Sequence, residues 1–251
     1  MSRILSIHSY RGGTGKSNST ANLATLMAAR GLTVGIIDTD IQSPGVHVLF
    51  GIEEDDMVYT LNDYLWGKIA IEQAAMDVTS RVGGRVSGRI LLVPSSVRTS
   101  EIARILREGY DVGLLNDGFQ RLLDELRLDV LIIDTHPGLN EETLLSIAIS
   151  DVLVIILRPD QQDYQGTGVT VEVARRLEVP DLLLMVNKVP QSFDFGDVTA
   201  QIAEIYGAEV VAVLPHSDEM MTLASAGIFV LRYPDHPITA SFKQVVARIL
   251  A

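Results

Sequence analysis

Seven short apolar runs recur along the chain, at 4–7, 33–37, 90–93, 130–133, 152–157, 182–186 and 210–214. Several are apolar at every position rather than at alternate ones, the pattern of strands buried on both faces of a parallel sheet. Between them lie stretches with helical character, at 18–30, 141–150, 168–177 and 198–206. Strands and helices alternating in this order predict an α/β fold: a doubly wound, mostly parallel β-sheet flanked by helices, with right-handed crossovers. The expected organisation is one domain over 1–251. The least regular part runs from about 51 to 89; within it 57–75 predicts short helices, and the glycine-rich 81–89 an exposed turn or hairpin. The stretch 238–251 reads as a final packing helix. Ligands of such sheets sit beyond the carboxyl ends of the strands. Polar residues collect there in this chain: the segment 10–17, Asp38 and Asp40, Asp134, Arg158 and Asp160, and Asn187.

The first run is followed by Tyr10, Arg11, Gly12, Gly13, Thr14, Gly15, Lys16, Ser17 and Asn18. A glycine-rich turn that follows a strand, ends in Gly-Lys-Ser and opens a helix is the setting of a phosphate-binding loop. Its glycines let backbone N–H groups of 12–18 point inward at an anion, and the helix start adds its positive end. Lys16 is expected to reach the β- and γ-phosphates, and the Ser17 hydroxyl to ligate Mg²⁺. Tyr10 stands where the standard motif has its first glycine.

Two further strand ends carry acids. Asp134 follows four apolar residues, where a carboxylate is costly without a partner, and a water-bridged Mg²⁺ is a natural one. Asp38 and Asp40 end the second run; a strand-end cap is the plain alternative for them. The run 182–186 is followed by Asn187, Lys188, Val189 and Pro190. This resembles a guanine-reading Asn-Lys-x-Asp signal without its acid, which favours adenine and so ATP.

These residues together resemble the MinD/ParA family of P-loop ATPases with a deviant Walker A loop, Lys-Gly-Gly-x-Gly-Lys-Ser/Thr. The likeness extends to Asn22, Leu23 and Ala24, to 34–40, to 132–138 and to 186–188. It implies an ATP-dependent homodimer that hydrolyses ATP and is stimulated by an activating or cargo protein. It also implies site roles. Asp40 positions or deprotonates the attacking water, and Asp38 sits nearer the Mg²⁺ shell. Gly138 offers an N–H to the γ-phosphate, Asn187 contacts the base, and Pro215 borders it. Arg11 replaces the family's signature lysine. It is expected either to reach a partner's nucleotide across a dimer, or to point into solvent or pair with a carboxylate of its own subunit. At 160–162 the residues are expected to touch a partner or nucleotide, or the helix is simply capped by Asp163. The family more often has proline at the position of His136.

Composition narrows the functions. With no cysteine in the sequence, disulfides, thiolate metal sites and cysteine nucleophiles are excluded, which ranks a metal-centre maturation role low. The net charge of −12 disfavours nucleic acid as a partner. Arg81, Arg85, Arg89, Arg98, Arg104 and Arg107 nevertheless crowd one stretch, either as ordinary surface residues or as a patch for a polyanion. No secretory leader is read at the N-terminus, the apolar runs are too short to span a bilayer, and 238–251 carries only Lys243 and Arg248. The expectation is a cytoplasmic protein with no direct membrane anchor. The leading function is an ATP-hydrolysing switch that positions or partitions a cargo. A non-hydrolysing adaptor that uses ATP for conformation only is the alternative.

Overall fold

A computed structural model describes residues 2–84 and 86–251. Its sheet comprises β1 (Arg3–His8), β2 (Thr33–Asp38), β3 (Met76–Asp77), β4 (Arg89–Val93), β5 (Val130–Asp134), β6 (Val152–Leu157), β7 (Asp181–Val189) and β8 (Glu209–Pro215). The spatial order is β3-β4-β2-β5-β1-β6-β7-β8, parallel throughout except for the short antiparallel pair β3–β4. Each apolar run is a strand, as the solid burial pattern requires. In β5, Val130 and Ile132 face one core while Leu131 and Ile133 face another on the opposite side of the sheet. In β6, Leu153, Ile155 and Leu157 likewise join a third cluster behind the first. Two residues per face in a five-residue strand leave no position for a polar side chain until Asp134 at its end.

The helices are α1 (Lys16–Ala29), α2 (Val46–Leu49), α3 (Leu61–Leu65), α4 (Thr99–Glu108), α5 (Gly113–Glu125), α6 (Glu141–Ala148), α7 (Gln161–Arg176), α8 (Phe195–Tyr206), α9 (Asp218–Leu223), α10 (Phe229–Arg232) and α11 (Pro237–Ile249). α1 lies over the sheet and against α10 and α11. Its run of Ser19, Thr20, Ala21, Asn22, Ala24, Thr25 and Ala28 is buried, because small side chains let its backbone come close to its neighbours. Asn22 ties α10 down by accepting from the Val230 N–H at 2.8 Å.

The differences from the sequence reading have physical causes. α7 begins at Gln161 rather than near 168, since Asp160 caps it by accepting from the Gln162 and Asp163 N–H groups at 3.2 and 3.0 Å. Asp163 is therefore not the cap; it is buried beneath Arg158. α4 and α5 fill 99–125, where polar residues dilute the apolar signal, and β3 is too short to announce itself. At 81–84 the expected exposed turn is present, a turn of 3-10 helix ending at Val82 and followed by Gly83–Gly84; Arg85 lies outside the described residues.

The arginine-rich stretch is not a bare cationic patch. Arg81 pairs with Asp56 (3.3 Å), Arg89 with Asp77 (3.0 Å), Arg98 with Glu54 (3.1 Å) and Arg104 with Glu108 (3.0 Å). Arg107 lies 4.0 Å from Glu108, and Arg104 also stacks over Trp66 at 3.8 Å. Three of those acids come from before the stretch in sequence, so folding supplies the neutralisation. Among the described residues no helix is long and apolar enough to cross a membrane.

Candidate functional site

The central strand β1 runs into the loop 9–15, which turns into α1. Gly15 caps α1 in a left-handed conformation (φ 105°, ψ 22°) and offers no side-chain bond to the first turn. The free N–H groups at this helix start are thus left for an anion. Lys16 is buried, and its Nζ donates to Ser9 Oγ at 3.2 Å. Burial holds the ammonium below its ordinary pKa, against the pull of Asp134, Asp40 and Asp38. A phosphate arriving in the loop would replace a neutral hydroxyl with charged oxygens.

Asp134 lies at the end of β5 directly beside β1. It accepts from Ser17 Oγ at 2.7 Å and from Thr20 Oγ1 at 2.9 Å. Its carboxyl is pushed up to about 6, mainly because burial disfavours the anion, with Lys16 and the two hydroxyls pulling the other way. One hydroxyl and a buried carboxylate one step behind it suit Mg²⁺, which keeps most of its waters and takes few protein ligands. Asp38 fits that role less well. Its Oδ2 accepts from the Gly45 and Val46 N–H groups at 3.0 and 3.2 Å, and its Oδ1 from Asp40 N–H at 3.1 Å. Asp38 therefore shapes the loop 39–46, at the cost of a carboxyl raised well above its usual range by burial and by Asp134.

That loop presents Asp40 to the cavity, with Oδ1 held by Ser43 Oγ at 2.9 Å. His136 stands beside it, its Nε2 3.9 Å from Asp40 Oδ1. Gly138 does not leave its N–H free for a phosphate. In this conformation it donates to Ser9 O at 3.2 Å, so Ser9 holds both Lys16 and the loop after β5. Arg11 takes the second of its two expected positions: Nη1 lies 3.7 Å from Asp160 and 3.8 Å from Asp163 of the same chain. Arg158 holds the same two acids more tightly, at 3.3 and 3.0 Å.

The end of β7 braces the loop from outside. Asn187 Nδ2 donates to Thr14 O at 2.7 Å, and Lys188 Nζ to Gly13 O at 2.8 Å. Asn187 Oδ1 accepts from Lys188 N–H at 2.8 Å. Carbonyls held outward leave the N–H groups of the same peptides turned inward. Asn187 is thus committed to the loop backbone rather than open toward a base. Asn187→Ala should leave buried Thr14 O without its donor, a loss of about 1–3 kcal/mol. The expected result is a lower melting temperature and weaker ATP and GTP binding to similar extents, checked by thermal melts and titration with both nucleotides; a loss confined to ATP would assign Asn187 to the base instead.

These parts open into one cavity of about 600 Å³, lined by Gly12, Gly13, Gly15, Lys16, Ser17, Asn18, Asp40, Pro137 and Asn187. Its far wall is Met220, Met221, Ala224 and Ser225 around α9, while Pro215 ends β8 outside the lining. The sequence reading missed this wall. A signal existed: Ser217 followed by two acids is a helix start at a strand's carboxyl end, and Ser217 Oγ caps α9 by accepting from Met220 N–H at 3.2 Å.

A glycine loop at a strand–helix junction, a buried lysine within it, a hydroxyl on a buried aspartate and a parallel sheet together define a P-loop nucleotide-binding protein. Comparison with known proteins agrees. A family profile described as an AAA domain matches residues 2–179. An uncharacterised ATP-binding protein of Methanocaldococcus jannaschii is 27% identical over 252 residues, covering 100% of this chain and 88% of that protein. An iron–sulfur cluster carrier protein of Pyrococcus abyssi is 24% identical, covering 98% and 85%. The solved structure of the septum site-determining protein MinD of Pyrococcus horikoshii complexed with Mg-ADP superposes with a TM-score of 0.81 at 20% identity, over 99% of this chain and 96% of that one. The chain belongs to the MinD/ParA family of P-loop ATPases.

Proposed function

We propose that the protein is an ATP-hydrolysing, dimerising switch of the MinD/ParA type, with a deviant Walker A loop, that positions or partitions a cellular cargo. The observation that carries this reading is convergence: Lys16, Ser17 and Asp40 line one cavity, and the Ser17 hydroxyl rests on the buried Asp134. In it the loop N–H groups and Lys16 bind the phosphates, and Ser17 and Asp134 hold Mg²⁺, which neutralises charge on the phosphate oxygens when bound. Asp40 orients the attacking water. Hydrolysis by such a site is mostly positioning and charge stabilisation. Arg11 leaves Asp160 and Asp163 to reach the partner's nucleotide. Its contacts at 3.7–3.8 Å are the longest in that ion-pair cluster, and Arg158 remains to neutralise both acids. The likeness to MinD supports the positioning role, and the match to an ATP-binding relative, over 100% of this chain and 88% of that protein, supports ATP as the ligand.

The test is ATP turnover together with mass measurement in solution. Wild type should hydrolyse ATP slowly and dimerise with it. Asp40→Ala should lower kcat about 100-fold or more, the range of a lost water-positioning group, and accumulate as an ATP-bound dimer. Lys16→Ala should lose nucleotide-dependent association. A wild type that binds ATP with neither turnover nor a change of mass would favour the adaptor reading, which the in-chain pairing of Arg11 supports. A cluster-carrying role, by analogy with the Pyrococcus abyssi relative, lacks its ligands, since these 251 residues contain no cysteine.

A further inference from the structure

His136 is the residue of the site that neither the phosphate loop nor the metal position uses, and its placement is specific. Its Nδ1 lies 2.6 Å from Pro137 O. A carbonyl only accepts, so Nδ1 carries the hydrogen, and the neutral ring then presents a bare lone pair at Nε2. That Nε2 faces Asp40 Oδ1 at 3.9 Å, and the two side chains are only 20% and 13% exposed. Two acceptors facing each other across a polar cleft do not bind one another. They are, however, near the ~4.5 Å spacing at which one water donates a hydrogen to each along bonds of about 2.8 Å. His136 is held on the loop after β5 and Asp40 on the loop after β2; Asp40 and Pro137, the neighbour of His136, line the cavity, and Asp40 Oδ1 is fixed in place by accepting from Ser43 N–H at 3.2 Å and Ser43 Oγ at 2.9 Å.

We propose that His136 is a second catalytic residue, which with Asp40 grips both hydrogens of the attacking water. This rests on the ATPase reading above. With both its hydrogens held, the water turns its lone pairs away from the two side chains and toward the γ-phosphorus. The water oxygen bonds to that phosphorus, and the bond from phosphorus to the β–γ bridging oxygen breaks, its electron pair leaving with ADP. One water hydrogen stays on the inorganic phosphate; the other passes through Asp40 to solvent. A single-acceptor site leaves the water free to rotate about one hydrogen bond. The second acceptor removes that freedom, an orientational gain rather than a binding one.

The experiment compares wild type, His136→Leu, His136→Gln and Asp40→Ala in steady-state ATP hydrolysis, with ATP affinity and melting temperature measured on the same proteins. His136→Leu removes the acceptor at similar bulk and should lower kcat ~10-fold or more, the low end for a lost acid–base partner, at unchanged ATP affinity. His136→Gln restores an acceptor oxygen at similar reach and should recover most of that loss. A His136→Leu protein with wild-type kcat overturns the proposal. So does a Gln variant as slow as the Leu variant, since the defect would then lie in packing. If wild type itself shows no ATP turnover, the ATPase reading fails; if wild type turns over and Asp40→Ala is slow while His136→Leu is not, the His136 proposal alone fails.

Discussion

A Gly15→Ala protein is expected to remain folded and to lose ATP binding by at least ~100-fold, about 3 kcal/mol. Two independent effects meet at this residue. Its φ of 105° lies in the region that L side chains rarely adopt, which costs about 1–2 kcal/mol. A Cβ there would also sit 2.5 Å from Asn187 Nδ2. Asn187 cannot simply swing aside, because the same nitrogen holds Thr14 O at 2.7 Å. Relief of the clash therefore breaks the brace that turns the loop carbonyls outward. Gly13 is a useful control: its φ is 75°, but nothing lies within 4 Å of a Cβ placed on it. Gly13→Ala carries only the backbone cost and should bind ATP more tightly than Gly15→Ala. Titration with a fluorescent ATP analogue, alongside circular dichroism, measures both. A Gly15→Ala protein with near wild-type affinity would mean that the Asn187 contact does not organise the loop.

The second large effect concerns acid stability. His8, the last residue of β1, is fully buried and its pKa is held down to about 3, first by burial and then by the positive charge of Lys16 and the nearby His136. Its Nδ1 lies 2.8 Å from Thr135 Oγ1, which itself donates to Ile7 O at 3.0 Å, so Nδ1 must be the donor. Nε2 has no partner, which leaves nothing to stabilise a second proton. In the unfolded chain the same imidazole takes up a proton near pH 6.5. Between that pH and about 3 the unfolded state holds more protons, so stability falls as pH falls through this window. Complete loss amounts to about 5 kcal/mol. His8→Asn keeps a donor for Thr135 and removes the titration. Its denaturant midpoint should change less than that of wild type between pH 7 and pH 4.5. Equal pH dependence in the two proteins would place the acid sensitivity elsewhere than His8, and not in Asp38 or Asp134, whose raised carboxyl pKa values make protonation favour the fold as pH falls.

The parts of the site that are contiguous in sequence were legible there. The loop 11–17 announces itself by residue type, and Asp38 and Asp134 by standing at the ends of apolar runs. The roles that needed long-range geometry were not legible. Asn187 was read toward a base, and its amide is spent on Thr14 O, 173 residues away in sequence. Arg11 was read toward a partner's nucleotide or an acid of its own chain, and in this conformation it takes the second course with Asp160 and Asp163. What His136 faces was not legible until β2 and β5 were seen side by side, in register from Val34 with Val130 to Asp38 with Asp134. The α9 wall escaped because methionines in a short helix carry no periodic signal.

The sequence by itself determined the fold class, seven of the eight strands described and the phosphate loop. Each follows from local chemistry: continuous apolar runs fit only a sheet covered on both faces, and a glycine turn ending in Gly-Lys-Ser needs no distant partner to be recognised. Tertiary structure decided which carboxylate holds backbone and which faces the cavity, where Arg11 rests, how Arg81, Arg89, Arg98 and Arg104 are neutralised, and what stands opposite Asp40. Those outcomes depend on distances between strand ends and loops far apart in the chain. Electrostatics and hydrogen bonding act over a few ångströms, so only the packed order of the strands fixes them.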